Sequence, residues 1–242
     1  ADMRNIRGGK ISIVLQDPLT SLNPAYSIGD QVAEAIAIHQ KAKGKTLWQR
    51  VIEVLKLVRI PAAEVRLRDY PHQMSGGMRQ RVAGAIALSC QPRLIIADEP
   101  TTCLDVTIQS QYLKLLKEVQ QESNVAVIFV THDFGIVARM CDRVAVMYAG
   151  KIVETASTRE LFDRPRHPYT VALMGCLPRL EAEQQTLTTI VGQPPRLIDL
   201  PQGCSFAPRC PAKRDICWQQ YPQQISVGQE HHVSCWLATE QQ

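Results

Sequence analysis

No run of apolar residues in this chain approaches the roughly 20 that a membrane-spanning helix needs, and no signal peptide opens it. Any role at a membrane therefore runs through a partner. A basic stripe is also missing: 27 Lys and Arg lie scattered among 23 acids in 242 residues, a formal charge of +4, so composition makes no case for nucleic acid. Internal repeats, low-complexity tracts and the tight C-x-x-C pairs of zinc ribbons do not occur. Nor does a P-loop, G-x-x-x-x-G-K-[ST], whose backbone amides wrap phosphates between a strand and a helix. Gly44-Lys45-Thr46 ends correctly, but His39 stands at its first glycine position and its setting is between two helices. Gly8-Gly9-Lys10 lacks the terminal Ser or Thr and precedes its strand.

With 45% hydrophobic and 21% charged side chains, the composition is that of one substantial globular domain with a smaller appendage. Cys90, Cys103, Cys141 and Cys176 are dispersed, as reduced core thiols are, which points to a reducing compartment. Cys204, Cys210, Cys217 and Cys235 crowd the end of the chain and need another explanation.

A short β-branched strand is expected over Lys10–Leu15, followed by a loop in "QDPLTSLNP". Helical spacing runs through Ile28–His39 and Thr46–Val58, and again from Ser75 towards Pro92. "RLIIADEP" and Val125–Val130 read as strands buried on both faces. Between them Ile108, Tyr112, Leu115, Leu116 and Val119 form one helical face. "RVAVMYAGKIVET" reads as a hairpin around Ala149 and Gly150. Strands alternating with helices argue for an open, largely parallel α/β sheet with ligands at the carboxyl ends of its strands. From about Glu181 the Gln, Thr, Pro and Gly content marks a linker into the tail, which divides the chain into 1–180 and 181–242.

"MSGGM" at Met74–Met78 places Ser75, Gly76 and Gly77 before a helix, where backbone N–H groups face a phosphate; alone, it reads equally well as a helix start. Asp98 and Glu99 end an apolar strand, where two carboxylates suit a hydrated Mg²⁺ and an attacking water. His132 ends the next strand and Gln16 the first.

In this order the segments resemble the ATP-binding cassette (ABC) ATPases. Gln16 is similar to the family's Q-loop, "MSGGM" to its signature, "LIIADE" to its Walker B motif, "CLD" with Asp105 to its D-loop, and His132 to its switch histidine. The resemblance implies an α/β P-loop NTPase nucleotide-binding domain, N-terminally incomplete, with a helical subdomain at about 27–90 and a Cys-rich extension. It also implies ATP and Mg²⁺ as ligands. Glu99 would align water, His132 would contact the γ-phosphate, Gln16 and Asp98 would serve Mg²⁺, and Ser75, Gly76, Gly77 and Asp105 would bind ATP. In the family the signature covers a nucleotide held by another chain, so without a P-loop these residues are expected to hydrolyse no ATP alone.

"QDPLTSLNP", "VMYAGKIVE" and "PRHPYT" further resemble the ATPase subunits of dipeptide and oligopeptide importers. That resemblance implies peptide import at the cytoplasmic face of the inner membrane. It also implies two permease subunits, a sister ATPase, indirectly a periplasmic solute-binding protein, and no nucleic acid. A truncated, inactive remnant and a non-transport ABC ATPase are the alternatives. For the tail cysteines the spacing identifies no metal, and unliganded thiols remain open. The importer resemblance implies a 4Fe-4S cluster, with Zn²⁺ as the second choice. His231 and His232 read as solvated.

Overall fold

Three short β-branched segments, each followed by a helix, form the first sheet of the computed structural model, which describes residues 2–17, 21–102, 104–177 and 189–239. Parts of the "QDPLTSLNP" loop, Cys103 and residues 181–188 at the start of the expected linker lie outside the described residues. The chain forms two units, Ala1–Phe134 and Gly135–Gln242.

In the first unit, helix α1 (Asp2–Ile6) precedes strand β1 (Ile11–Val14). Helices α2 (Ile28–Gln40) and α3 (Gly44–Leu57) follow, then the short α4 (Ala63–Arg66) and α5 (Gly76–Leu88). Ser27 caps α2 by accepting from Asp30 N. Ile28, Val32, Ile36, Val51, Leu55 and Val82 are fully buried, joining α2, α3 and α5 in one core. Strand β2 (Leu94–Asp98), helix α6 (Val106–Ser123) and strand β3 (Ala126–Val130) complete the unit. The sheet order is β1-β2-β3, parallel throughout, with Ile13 opposite Ile96 and Ile96 opposite Ile128. The helical face on α6 forms as its spacing predicts, with Tyr112, Leu115 and Val119 buried.

Only one face of this sheet is covered among the described residues. Val14, Ile95 and Ala97 are buried beneath α5 and α6, whereas Ile13 is 53%, Ile128 50% and Val130 48% exposed. This corrects the expectation of strands buried on both faces. Continuous apolar runs indicate that both faces are apolar, and a covering layer must come from elsewhere to bury the second.

The second unit begins in helix α7 (Phe134–Met140) and continues with β4 (Arg143–Tyr148) and β5 (Lys151–Ser157). Ala149 (φ 48°) and Gly150 (φ 78°) make the tight turn between them, both left-handed as a two-residue hairpin of this hand requires. Helices α8 (Thr158–Asp163) and α9 (Pro168–Gly175) follow, then α10 (Ile216–Gln219) and strands β6 (Ile225–Gly228) and β7 (His231–Val233). The order β4-β5-β7-β6 is antiparallel. The single, largely parallel sheet expected from the sequence is therefore two sheets. The hairpin pairs with the tail, because β7 supplies hydrogen-bonding partners along β5 at Glu154 and Thr155.

Tyr148, Tyr169 and Phe206 pack with centroids 4.6 to 5.4 Å apart, Tyr148 and Phe206 edge to face and the other two pairs tilted, beside Leu161 and Val153. Buried among these elements is Glu154, at 0% exposure. Its Oε1 accepts from Arg166 N at 2.7 Å and meets His231 Nε2 at 2.8 Å, and its Oε2 accepts from His167 N at 2.9 Å. His231 is 1% exposed, with Glu160 Oε1 3.7 Å from its Nδ1. His231 is thus a buried hydrogen-bonding partner of Glu154 and not the solvated residue expected. Strand alternation sends it to the Glu154 side and leaves His232 half-buried. His167 caps α9, its Nδ1 accepting from Tyr169 N at 3.0 Å, and burial lowers its pKa to about 4, so it is neutral. "GKIVE" and "PRHPYT", which carried the importer resemblance, meet here in one structural joint.

Candidate functional site

At the carboxyl end of the first sheet, three loops converge on one carboxylate. Gln16 follows β1, Glu99 follows β2 and His132 follows β3, so parallel register alone brings them to the same edge. Gln16 Nε2 donates to Glu99 Oε2 at 2.9 Å, and Thr102 Oγ1 donates to the same oxygen at 2.9 Å. His132 Nδ1 lies 2.8 Å from Glu99 Oε1. These hydrogen bonds, the one from His132 first and then that from Thr102, hold the Glu99 carboxyl below its ordinary pKa. Because Glu99 is ionised, the ring nitrogen facing it carries the proton. The side chains are accessible, His132 at 76% and Glu99 at 24%.

Glu99 takes φ 41°, left-handed for a residue with a Cβ, and its N–H donates to Val130 O at 2.9 Å. Such a conformation costs about 1–3 kcal/mol and persists where neighbouring contacts over-determine it. Asp98, half-buried, is the last residue of β2 and pairs in register with Val130. The adjacency of two acids at a strand end thus becomes one acid in the strand and one turned out of it.

Ser75, Gly76 and Gly77 stand at the head of α5, where Ser75 Oγ accepts from Met78 N at 3.4 Å as an N-cap. The first N–H groups of such a helix have no acceptor within it. A Cβ on Gly76 would meet nothing within 4 Å, but one on Gly77 would lie 2.7 Å from Ile108 Cγ2. Asp105 caps α6, its Oδ1 accepting from Thr107 N at 3.1 Å and from Ile108 N at 2.9 Å. Ile108 therefore ties the Asp105 turn to the Ser75–Gly77 turn. Gly77→Ala is expected to cost about 1–3 kcal/mol through this overlap. Adding Ile108→Ala should recover much of that loss, whereas Gly76→Ala should leave stability unchanged or slightly raised. Urea unfolding of the four proteins checks it.

In the second unit, Cys204, Cys210, Cys217 and Cys235 line one small cavity with His167, Phe206 and Trp236. Gly203 makes this possible: Cys204 N donates to Cys217 O at 2.7 Å, and a Cβ at 203 would sit 2.1 Å from that oxygen. Backbone N–H groups reach the sulfurs, from Phe206 and Ala207 to Cys204, from Ala212 to Cys210, from Arg214 to Cys217, and from Leu237 and Ala238 to Cys235. Burial nevertheless raises the thiols of Cys204, Cys210 and Cys235, the last to about 11. Among the described residues no three Cys, His, Asp or Glu side chains are gathered at metal-coordinating distances. The donor set fits a thiolate-ligated group: four soft sulfurs around one cavity, met by amide donors that favour S⁻ over SH.

A protein-family model described as the ABC transporter matches residues 1–102, and one described as the oligopeptide/dipeptide transporter C-terminal region matches 153–217. The dipeptide transport ATP-binding protein DppD of Bacillus subtilis is 51% identical over 98% of this chain and 70% of its own length. The chain belongs to the ATP-binding subunits of the dipeptide and oligopeptide ABC transporters. The oligopeptide transport ATP-binding protein OppD of Haemophilus influenzae is 45% identical over 99% of this chain and 74% of its own. Among solved structures, a dimeric post-hydrolysis ATP-binding cassette bound to ADP and Pi superposes with a TM-score of 0.57 at 29% identity. That match covers 65% of this chain and 67% of the other. The α/β fold of an ABC nucleotide-binding domain follows. No helix among the described residues is long and apolar enough to cross a membrane.

Thr102 and Ile108 went unread in the sequence as site residues. Thr102 stands three residues beyond Glu99, but its contact depends on a turn that folds residue 102 back on residue 99.

Proposed function

We propose that this chain energises the import of dipeptides or oligopeptides by ATP hydrolysis, as a peripheral subunit on the cytoplasmic face of the membrane. It would work with two permease subunits and a sister ATPase, and indirectly with a periplasmic binding protein. The observation that carries this reading is the Glu99 carboxylate held between Gln16 and His132 at 2.8 to 2.9 Å in a chain of this family. Glu99 aligns the attacking water and takes its proton. His132 turns from Glu99 to the γ-phosphate when nucleotide binds. Asp98 and Gln16 would hold hydrated Mg²⁺, which would supply charge neutralisation at the phosphoryl group.

Ser75, Gly76 and Gly77 cover the γ-phosphate of ATP bound by another chain. The open space at Gly76 supports that approach. A helix N-terminus gives an anion about 0.3–1 kcal/mol, and even a millimolar site needs about 4 kcal/mol. The signature is therefore a lid and not a pocket. A polypeptide of these 242 residues, which contain no G-x-x-x-x-G-K-[ST], is expected to turn over no ATP. Assembling the transporter with its permeases and sister subunit and measuring peptide-stimulated phosphate release tests the whole reading; an assembly that binds ATP without hydrolysing it overturns it.

We further propose that Cys204, Cys210, Cys217 and Cys235 hold a 4Fe-4S cluster, with Zn²⁺ as the alternative occupant. When bound, such a group supplies a cross-link across the tail and a one-electron couple. Protein purified without oxygen should carry iron and acid-labile sulfide in equal amounts. Stoichiometric zinc without sulfide would decide against the cluster.

A further inference from the structure

We propose that Thr102 is a positioning residue that keeps the Glu99 carboxylate aimed during ATP hydrolysis. The inference rests on Glu99 being the group that aligns water. Three side chains hold that carboxylate, and they differ in what else they must do. Gln16 and His132 arrive from the loops after β1 and β3, and in the proposed mechanism both turn to Mg²⁺ and nucleotide. Each then gives up its contact with Glu99, at 2.9 and 2.8 Å respectively. Thr102 has no such second task. Its hydroxyl lies 2.9 Å from Glu99 Oε2, and the same turn brings Thr102 N and Oγ1 each to 3.3 Å from Glu99 O.

The tether is local, three residues along the chain, so it moves with Glu99 and does not depend on what Gln16 and His132 contact. It also secures a residue whose φ of 41° would otherwise relax towards an ordinary conformation, turning the carboxylate away. With Oε2 fixed by Thr102, Oε1 is the oxygen left to meet water once His132 engages phosphate. A hydroxyl donor suits this task because it strengthens the hold on the ionised carboxylate without adding charge near the phosphates. Valine keeps the β-branched shape of threonine and removes only the donor. Serine keeps the donor and removes the methyl.

In the assembled transporter, Thr102→Val is expected to lower kcat about tenfold or more with KM for ATP within about twofold, since a contact needed only in the transition state is lost. Thr102→Ser should retain most of the wild-type kcat. Wild-type kcat in Thr102→Val, or equal impairment of the Val and Ser variants, overturns the inference. Wild-type turnover by Glu99→Gln overturns the assignment of Glu99 itself and the inference with it. Loss of turnover in Glu99→Gln beside an unimpaired Thr102→Val overturns the inference alone.

Discussion

Glu99→Gln is expected to reduce ATP turnover by about 10²- to 10⁴-fold, the range that a positioned general base contributes, in an assembled transporter whose copy of this subunit joins these residues to a P-loop. ATP binding should persist. The amide is isosteric, so with its oxygen in the Oε2 place Gln16 and Thr102 keep an acceptor, and the amide nitrogen faces His132 Nδ1. What disappears is the ability to accept a proton from water. His132→Ala removes a different element, the partner of Oε1 and the proposed γ-phosphate contact, and should lower turnover while leaving Glu99 ionised. Phosphate release at saturating ATP, together with equilibrium binding of a nucleotide analogue, separates lost chemistry from lost binding. A Glu99→Gln assembly within about threefold of wild type would remove the catalytic assignment, because such a factor is under 1 kcal/mol.

Glu154→Ala is expected to destabilise the second unit by about 3 kcal/mol or more, since each buried donor left without its acceptor costs about 1–3 kcal/mol. Three donors lose their acceptor together: the N–H groups of Arg166 and His167 and Nε2 of His231. They come from the loop before α9 and from β7, so the loss loosens the attachment of both to β5. Glu154→Gln should cost less, about 1–3 kcal/mol, since its oxygen satisfies one or two donors while its amide nitrogen faces another. Amide hydrogen exchange along β7 and at the start of α9 reads the effect locally. The first unit serves as an internal standard, since none of these hydrogen bonds reaches it. Exchange rates in Glu154→Ala equal to wild type would show that the joint is ornamental.

That joint also shows what the sequence made legible and what it did not. The elements with a strong period were readable: α6 from Ile108, Tyr112, Leu115 and Val119, and the β4–β5 hairpin from its turn at Ala149-Gly150. Their signals are local. So were the strand ends, which is why Gln16, Glu99 and His132 could be singled out before their contacts were known. Strands β6 and β7, four and three residues long, carry no period, and they form by pairing with β5 and with each other. Burial of His231 likewise follows from a glutamate 77 positions away. Thr102 was hidden for another reason: a hydroxyl in a turn is ordinary until the backbone at Glu99 folds it onto the carboxylate.

The division into two sheets has the same origin. A run such as VAVIFV reports apolar faces, but not what covers them, and here Ile128 and Val130 stay exposed. In the tail, spacing could not place the four cysteines together. The close approach at Gly203, which brings Cys204 N to Cys217 O, is a contact between segments that no spacing rule encodes.

The most direct test of the lid assignment is a cryo-electron microscopy map of the transporter trapped with a non-hydrolysable ATP analogue. Ser75 Oγ and the N–H groups of Gly76 and Gly77 should lie about 3 Å from γ-phosphate oxygens, at hydrogen-bond distance, with the opposite side of that nucleotide held by the P-loop of a different chain. A map in which the analogue is bound and these three residues face solvent, or touch only their own chain, would contradict the account.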